Sequence, residues 1–307
     1  MKKHFSLLIC LGAAVLLGLT SCEKADFDDE DTPATEEPTT AETVDEGDAN
    51  LVIRVSNTRV FPFEKRNAPR RAVENLVDYC SRLNFVIYKD GEKVVGKSQL
   101  KGDADYGQVA LSLTPGTYKL MVLAHSSYGG NPVVSDPENI QFTNKLSYSD
   151  TFYYYGDIEV TKEAKVHDIV LLRATTRVNF TINDELPAEL ATIEFFYTGG
   201  TGVLNAVTGY GADVNSQQTK RYNVTGYKAP LSMSIYTFLK GDTGKLNLRV
   251  SALDKDDNVI MQKEFENVPV ERNKVTEMEG DFFVTESQNT FSLTGETGWD
   301  VLQHLTY

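Results

Sequence analysis

The sequence predicts an all-β protein built as two β-sandwiches, and three observations predict it. After residue 50, short apolar runs alternate with polar residues and are separated by Asp-Gly, Pro-Gly and Asn/Asp-rich stretches of turn chemistry. Helical periodicity is scarce: residues 72–81 (AVENLVDYCS) make the best short helix and residues 299–305 a weaker one. The strand-rich sequence also divides into two blocks of similar length and strand content, meeting near Leu172-Arg173, with no solenoid repeat. Residues 50–307 are long for one domain and comfortable for two.

The chain opens differently. Lys2 and Lys3 precede an apolar run from Phe5 to Leu19 that is too short to span a bilayer comfortably and reads as the core of a signal peptide. Leu19-Thr20-Ser21-Cys22 resembles a bacterial lipobox, in which the cysteine is acylated and the chain is cut just before it. The expectation is a lipoprotein signal peptide over residues 1–21 and a lipid on Cys22. Several acyl chains on one cysteine anchor stably, where a single chain holds only marginally.

Residues 22–49 form an acidic linker. Between residues 23 and 49 there are 12 acidic residues and one basic one, too little apolar surface to fold, so the segment is expected to be disordered and extended by self-repulsion. The acidic cluster behind Cys22 also resembles the surface-export signal of Bacteroidales lipoproteins; a plain solvated spacer is the other reading. Most of the formal charge of −14 belongs to this linker. Residues 50–307 are only mildly acidic, which argues against nucleic-acid binding and names no partner.

The first block, residues 50–172, begins with Leu51-Val52-Ile53-Arg54-Val55 as a strand. Leu83 to Tyr88 (LNFVIY) and Val94-Val95 flank Lys89-Asp90-Gly91-Glu92, a strong hairpin signal. Gln108 to Leu113 and Tyr118 to Ala124 flank the turn Thr114-Pro115-Gly116-Thr117. Residues 126–150 read as a long surface excursion, followed by strands at Phe152 to Tyr155, Ile158 to Val160 and Val166 to Leu172.

The second block, residues 173–307, starts with the clean alternation of Thr176 to Ile182 and continues with Ile193 to Tyr197. Residues 198–229 read as a long loop with at most a short strand. Leu231 to Leu239 is a strand, and Leu246 to Leu253 and Val259 to Phe265 form a hairpin across Asp254-Lys255-Asp256-Asp257-Asn258. That segment lacks the glycine and distal glutamate of a calcium loop. Val268-Pro269-Val270, Lys274 to Phe283 and Phe291-Ser292-Leu293 complete the series.

Catalytic and metal-binding patterns are lacking. His125, His167 and His304 have no metal-ligand spacing, and there is neither a phosphate loop nor a nucleophile elbow. Cys80 is the cysteine left after the signal and Cys22, and reads as a buried small hydrophobe. No enzyme activity, cofactor or metal is expected. Two features stay open. Phe152-Tyr153-Tyr154-Tyr155 with Tyr148 would give a sugar-stacking platform if outward-facing, although strand alternation sends half of them inward. Arg66-Asn67-Ala68-Pro69-Arg70-Arg71 is either an exposed loop that a trypsin-like protease cuts after Arg70 or Arg71, or a solvated basic turn.

Several of these stretches occur together in a known order. The lipobox and acidic tail, Pro115-Gly116-x-Tyr118 ahead of VLAH at 122–125, DTFYYYGDIEV at 150–160, RATTRVNFTI at 173–182 and VPVERNKVTEMEGDFF at 268–283 resemble the fimbrillin superfamily of Bacteroidales, the type V pilus proteins, with the anchor or minor-subunit branch favoured. The resemblance implies two transthyretin-like Greek-key β-sandwich domains and a lipid-anchored place on the outer membrane, at the cell surface and in a fimbrium that supports adhesion. It implies assembly with other pilus subunits by strand complementation. Leu51, Val52, Ile53 and Val55 would belong to the exchanged strand, Arg70 or Arg71 would be the processing site, and an anchor would keep both lipid and strand. A host or glycan ligand stays open, and a surface glycan-binding lipoprotein is the alternative.

Overall fold

The computed structural model describes residues 48–58, 80–126, 132–142, 148–212, 217–284 and 292–296. The signal peptide, Cys22, nearly all of the linker, Arg70, Arg71 and the weaker helix at 299–305 lie outside the described residues. Of the stronger helix candidate only Cys80 and Ser81 are described, and neither is helical; the described residues contain strands and no helix.

The first eight strands are β1 (Leu51–Thr58), β2 (Arg82–Lys89), β3 (Glu92–Leu100), β4 (Gln108–Leu111), β5 (Gly116–His125), β6 (Ile140–Gln141), β7 (Phe152–Val160) and β8 (Lys165–Arg173). All but β6 join one sheet in the order β3-β2-β5-β7-β8-β1-β4. β7 and β8 pair through Phe152↔Arg173 and Tyr153↔Leu172, where the sheet folds over on itself. The leaf β8-β1-β4 then supplies Leu51, Ile53, Leu111 and Leu171 to a core shared with Phe85, Leu120, Val122 and Phe152 of the other leaf. The expected Asp90-Gly91 hairpin turn is present, with both residues at positive φ (52° and 86°), which matches the twist of its strands.

The remaining strands are β9 (Thr175–Ile182), β10 (Thr192–Thr198), β11 (Val203–Asn205), β12 (Tyr210–Gly211), β13 (Gln218–Asn223), β14 (Leu231–Phe238), β15 (Thr243–Leu253), β16 (Val259–Glu271), β17 (Val275–Gly280) and β18 (Ser292–Glu296). Sheets β13-β10-β15-β16 and β14-β9-β17-β18 enclose a second core. Phe180 stands near its centre, edge-on to Phe195, Phe265 and Phe282 at 5.5, 5.7 and 6.0 Å between ring centroids. Asp254 accepts bonds from the Asp256 and Asn258 amides and closes the hairpin between β15 and β16.

The two halves repeat one plan. β1 lies between β8, its parallel neighbour, and β4, its antiparallel one. β9 lies between β17, parallel, and β14, antiparallel. In each half the other leaf has the same succession, β3-β2-β5-β7 in the first and β13-β10-β15-β16 in the second. The halves follow each other directly, since Ala174 alone separates β8 from β9.

Two stretches differ from the sequence expectation. Residues 126–150 are more than a surface excursion: Ile140, Phe142 and Tyr148 are buried, and β6 pairs with β11 of the other half. Residues 198–229 hold three strands, β11, β12 and β13. β13 is an edge strand along β10, and its QTKRYN sequence shows no apolar alternation because only Gln218 is buried. These stretches build a third apolar cluster, in which Tyr88, Met121, Leu123 and Tyr153 from the outer face of the first sheet meet Ile140, Phe142, Leu204 and Phe238. β2 is therefore buried on both faces, which explains the apolar stretch Phe85 to Tyr88 and the burial of every residue from Leu83 to Tyr88. The close approach requires glycine: a Cβ at Gly202 would stand 2.0 Å from the Tyr148 hydroxyl oxygen, and one at Gly209 1.7 Å from that of Tyr153.

Beside this cluster the Arg173 side chain is 1% exposed. Its Nε and Nη2 donate to both Asp150 carboxylate oxygens at 2.8–3.0 Å, and its Nη1 donates to Asn273 Oδ1 at 3.1 Å. Thr175 Oγ1 donates to the same carboxylate, and the guanidinium lies 4.8 Å from the Phe152 ring centre. His125 is also fully buried, with Nε2 3.0 Å from Asn84 Oδ1, while Asn84 donates to Ser98 Oγ. Burial, reinforced by the Arg82 charge, pushes the imidazole from its ordinary 6.5 down to about 3, so it stays neutral in the fold.

Two outcomes are expected. Asp150→Ala strands a buried guanidinium and should cost about 3–5 kcal/mol in denaturant unfolding. His125 binds a proton in the unfolded chain below about pH 6.5 but resists it in the fold, so stability falls with falling pH across the window from 6.5 to about 3. Its contribution between pH 7 and pH 5 should be a loss of about 2 kcal/mol, absent in His125→Gln when unfolding is measured at both values.

Candidate strand-exchange groove

β1 begins where the acidic linker ends, and it opens with three consecutive apolar residues, Leu51-Val52-Ile53, as a strand covered on both faces does. Leu51 and Ile53 are fully buried in the first core, and Val55 packs against its edge. Val52 is equally inaccessible but belongs to the opposite face, in register with Ala110 of β4 and Val166 of β8. The four residues expected to act together thus divide, three towards the core and one away from it.

The backbone of β1 is engaged on both sides. Leu51 to Arg54 pair with Leu111 to Gln108, and Val55 N–H donates to Gly107 O at 2.8 Å. Along the other edge the parallel register runs from Leu51↔Lys165 to Thr58↔Leu171, with an irregularity between Val55 and Asn57. Arg54 Nε adds a side-chain bond of 2.9 Å to Gln108 Oε1.

Asn50 closes the upstream end, a role that sequence reading missed. Its Nδ2 donates to Leu113 O at 2.7 Å and to Thr161 O at 2.9 Å, while its Oδ1 accepts from Leu113 N–H at 2.9 Å. Its own N–H donates to Leu111 O, and its carbonyl accepts from Lys165 N–H. One amide side chain therefore fastens the start of β1 to the loops after β4 and β7. The signal available in the sequence was an asparagine immediately before an apolar strand.

Removing β1 would leave a trough between β4 and β8. Its walls would carry orphaned backbone donors and acceptors, and its floor would lack Leu51 and Ile53. A strand of similar apolar pattern restores both at once, which is the chemistry of β-augmentation.

The other sequence candidates sit elsewhere. Phe152 and Tyr154 face the first core, whereas Tyr153, Tyr155 and Tyr148 face the third cluster. The aromatic run is thus packed on both faces of β7 rather than forming an outward platform. Cys80 is buried, and desolvation, with the Asp150 carboxylate adding to it, holds its thiol well above the ordinary range, unsuited to nucleophilic work. Among the described residues no group of three or more His, Cys, Asp or Glu side chains could hold a metal ion. Arg70 and Arg71, like Cys22, lie outside the described residues, but in chain order they fall between β1 and β2.

Residues 41–300 match the profile of a family of unknown function, DUF6562. No curated protein matches the chain. Several solved structures bear a distant likeness to it. The fimbrial anchor protein Mfa2 from Porphyromonas gingivalis is 10% identical over 83% of this chain and 99% of its own, with a TM-score of 0.42. A candidate polysaccharide-binding protein from Bacteroides thetaiotaomicron is 11% identical over 82% and 98%, with a TM-score of 0.48. A candidate adhesin from Bacteroides ovatus is 12% identical over 82% and 93%, with a TM-score of 0.46. Likeness at this level assigns no role to this chain.

Truncating the strand should register in stability. Ile53→Ala removes core volume and should cost about 2–5 kcal/mol. Asn50→Ala loses its side-chain bonds and leaves Leu113 N–H without its acceptor, at about 1–3 kcal/mol. Urea midpoints of both variants check this; an Asn50→Ala midpoint equal to that of the parent would remove the fastening role.

Proposed function

The chain belongs to the DUF6562 family, and we propose that it is a structural lipoprotein of the cell surface, an anchor or minor subunit of a fimbria. In this reading a lipid on Cys22 holds it to the outer membrane, and strand exchange joins it to other pilus subunits. The observation that carries the reading is the position of β1: the first strand after the acidic linker is central in its leaf, paired on both edges, and supplies Leu51 and Ile53 to the core. A chain tethered through Cys22 is thereby tethered through a strand whose loss would open a groove for a foreign strand.

The Arg70-Arg71 pair supplies the switch. A cut there breaks the covalent connection between β1 and β2, leaving β1 held by its ladders and core contacts alone. The lipid then leaves with β1, and the body is free to accept a neighbour's strand. An uncut chain keeps lipid and body together, as an anchor must. The tyrosines of β7 favour this structural role over glycan binding, because they pack inside the molecule.

Mass spectrometry of the protein recovered from native surface fractions tests the reading. A triacylated Cys22, with peptides running uninterrupted across Arg70-Arg71, is the expected result for an anchor. A mature N-terminus near Ala72 without lipid would make it a processed subunit instead. An unmodified Cys22 on an uncut chain would end the tether altogether.

A further inference from the structure

The position of the chain's entry and exit in each half determines how the fold carries tension. The first half is entered at Leu51, the upstream end of β1, and left at Arg173, the downstream end of β8. These strands are parallel neighbours, in register from Leu51↔Lys165 to Thr58↔Leu171. In the second half β9, entered at Thr175, and β17, which ends at Gly280, are again parallel neighbours, in register from Arg177↔Val275 to Ile182↔Gly280; β18 pairs antiparallel along the other edge of β17, and tension reaches this clamp in shear when it arrives at Gly280. Pulling on the upstream end of one strand and the downstream end of its parallel neighbour slides the two along each other. The evenly spaced hydrogen bonds of a parallel pair then share the load and must fail together. Pulling on matching ends would instead open the ladder one bond at a time.

We propose that each half contains a shear-loaded clamp, the parallel pairing of its first strand with the strand that returns beside it (β1 with β8, β9 with β17), and that the two clamps lie in series along the chain to hold it folded under tension. Asn50 belongs to the first clamp, since its side chain fastens the loaded end of β1 to Leu113 and Thr161. Ala174 passes the load from one clamp to the next, beside the ion pair of Arg173 with Asp150. That tension arrives through the N-terminus rests on the tether proposed above; the clamp itself rests only on the strand order.

Single-molecule force spectroscopy on the full chain separates the two loading directions. Click-reactive handles at Asp48 and Leu172 load β1 and β8 at opposite ends, whereas handles at Asp48 and Val166 load them at the same end. Leu172 and Val166 are 49% and 45% exposed on one strand, so the attachment chemistry is matched. The expected rupture force is several-fold higher for Asp48–Leu172 than for Asp48–Val166 at one loading rate. Equal forces would overturn the first clamp. Handles at Arg177 and Glu279, against Thr181 and Glu279, put the same question to β9 and β17, and equal forces there would overturn the second. A force contrast in a chain whose native Cys22 proves unlipidated keeps the clamp and discards the tether; a lipidated chain without contrast does the reverse.

Discussion

The pairing of β1 with strands on both of its edges is the constraint on which the rest depends. A central strand must have its donors and acceptors met on two sides, and for β1 those partners come from distant parts of the chain. The polypeptide therefore has to finish its first half before the first strand is secured. β8 returns parallel to β1 while β4 takes its other edge, and the remaining strands β2, β3, β5 and β7 form the facing leaf that encloses the core around Leu51 and Ile53. The same requirement recurs at β9, which waits for β17. Both halves are consequently rich in long-range pairing and poor in local structure, a topology that folds slowly and leaves strand edges exposed until it closes.

The third cluster follows from the way these sheets are clothed. A sandwich needs one apolar face per sheet, but β2, β5 and β7 carry apolar or aromatic residues on both. The second face is covered by β6, by the 198–212 segment and by Tyr236 and Phe238 at the end of β14, with Gly202 and Gly209 allowing the backbone down onto two tyrosine hydroxyls. Arg173 sits where these parts converge, and its charge is tolerated because Asp150 and Asn273 satisfy it.

Much of this was legible in the sequence. The alternation of Thr176 to Ile182, the Asp-Gly turn and the Asp254–Asn258 hairpin are local signals, and the structure follows them. The apolar run that opens β1 was also visible, as was its place ahead of the arginine pair. What escaped is non-local. β13 reads as a loop because an edge strand needs no apolar face, and only its pairing with β10 makes it a strand. Val268-Pro269-Val270 reads as a separate piece, yet it continues β16 past an irregularity at Asn267, because a proline is tolerated where an edge strand turns one side to solvent. The reach of Asn50 to Leu113 and Thr161 spans chain separations that no local pattern encodes. The tyrosines of β7 left a surface platform open only because the strands that cover their outer face are distant in sequence.

The single residue between β8 and β9 bears on how such a chain is divided and inherited. Two sandwiches that repeat one strand plan suggest beads that could be exchanged, duplicated or expressed apart. With Ala174 as the whole connection and Tyr88, Met121, Leu123 and Tyr153 pressed against the cover drawn partly from the second half, cutting there would uncover a large apolar face on an otherwise soluble sheet. The first half on its own would therefore present that face to water, so the two halves are built to be made and kept together.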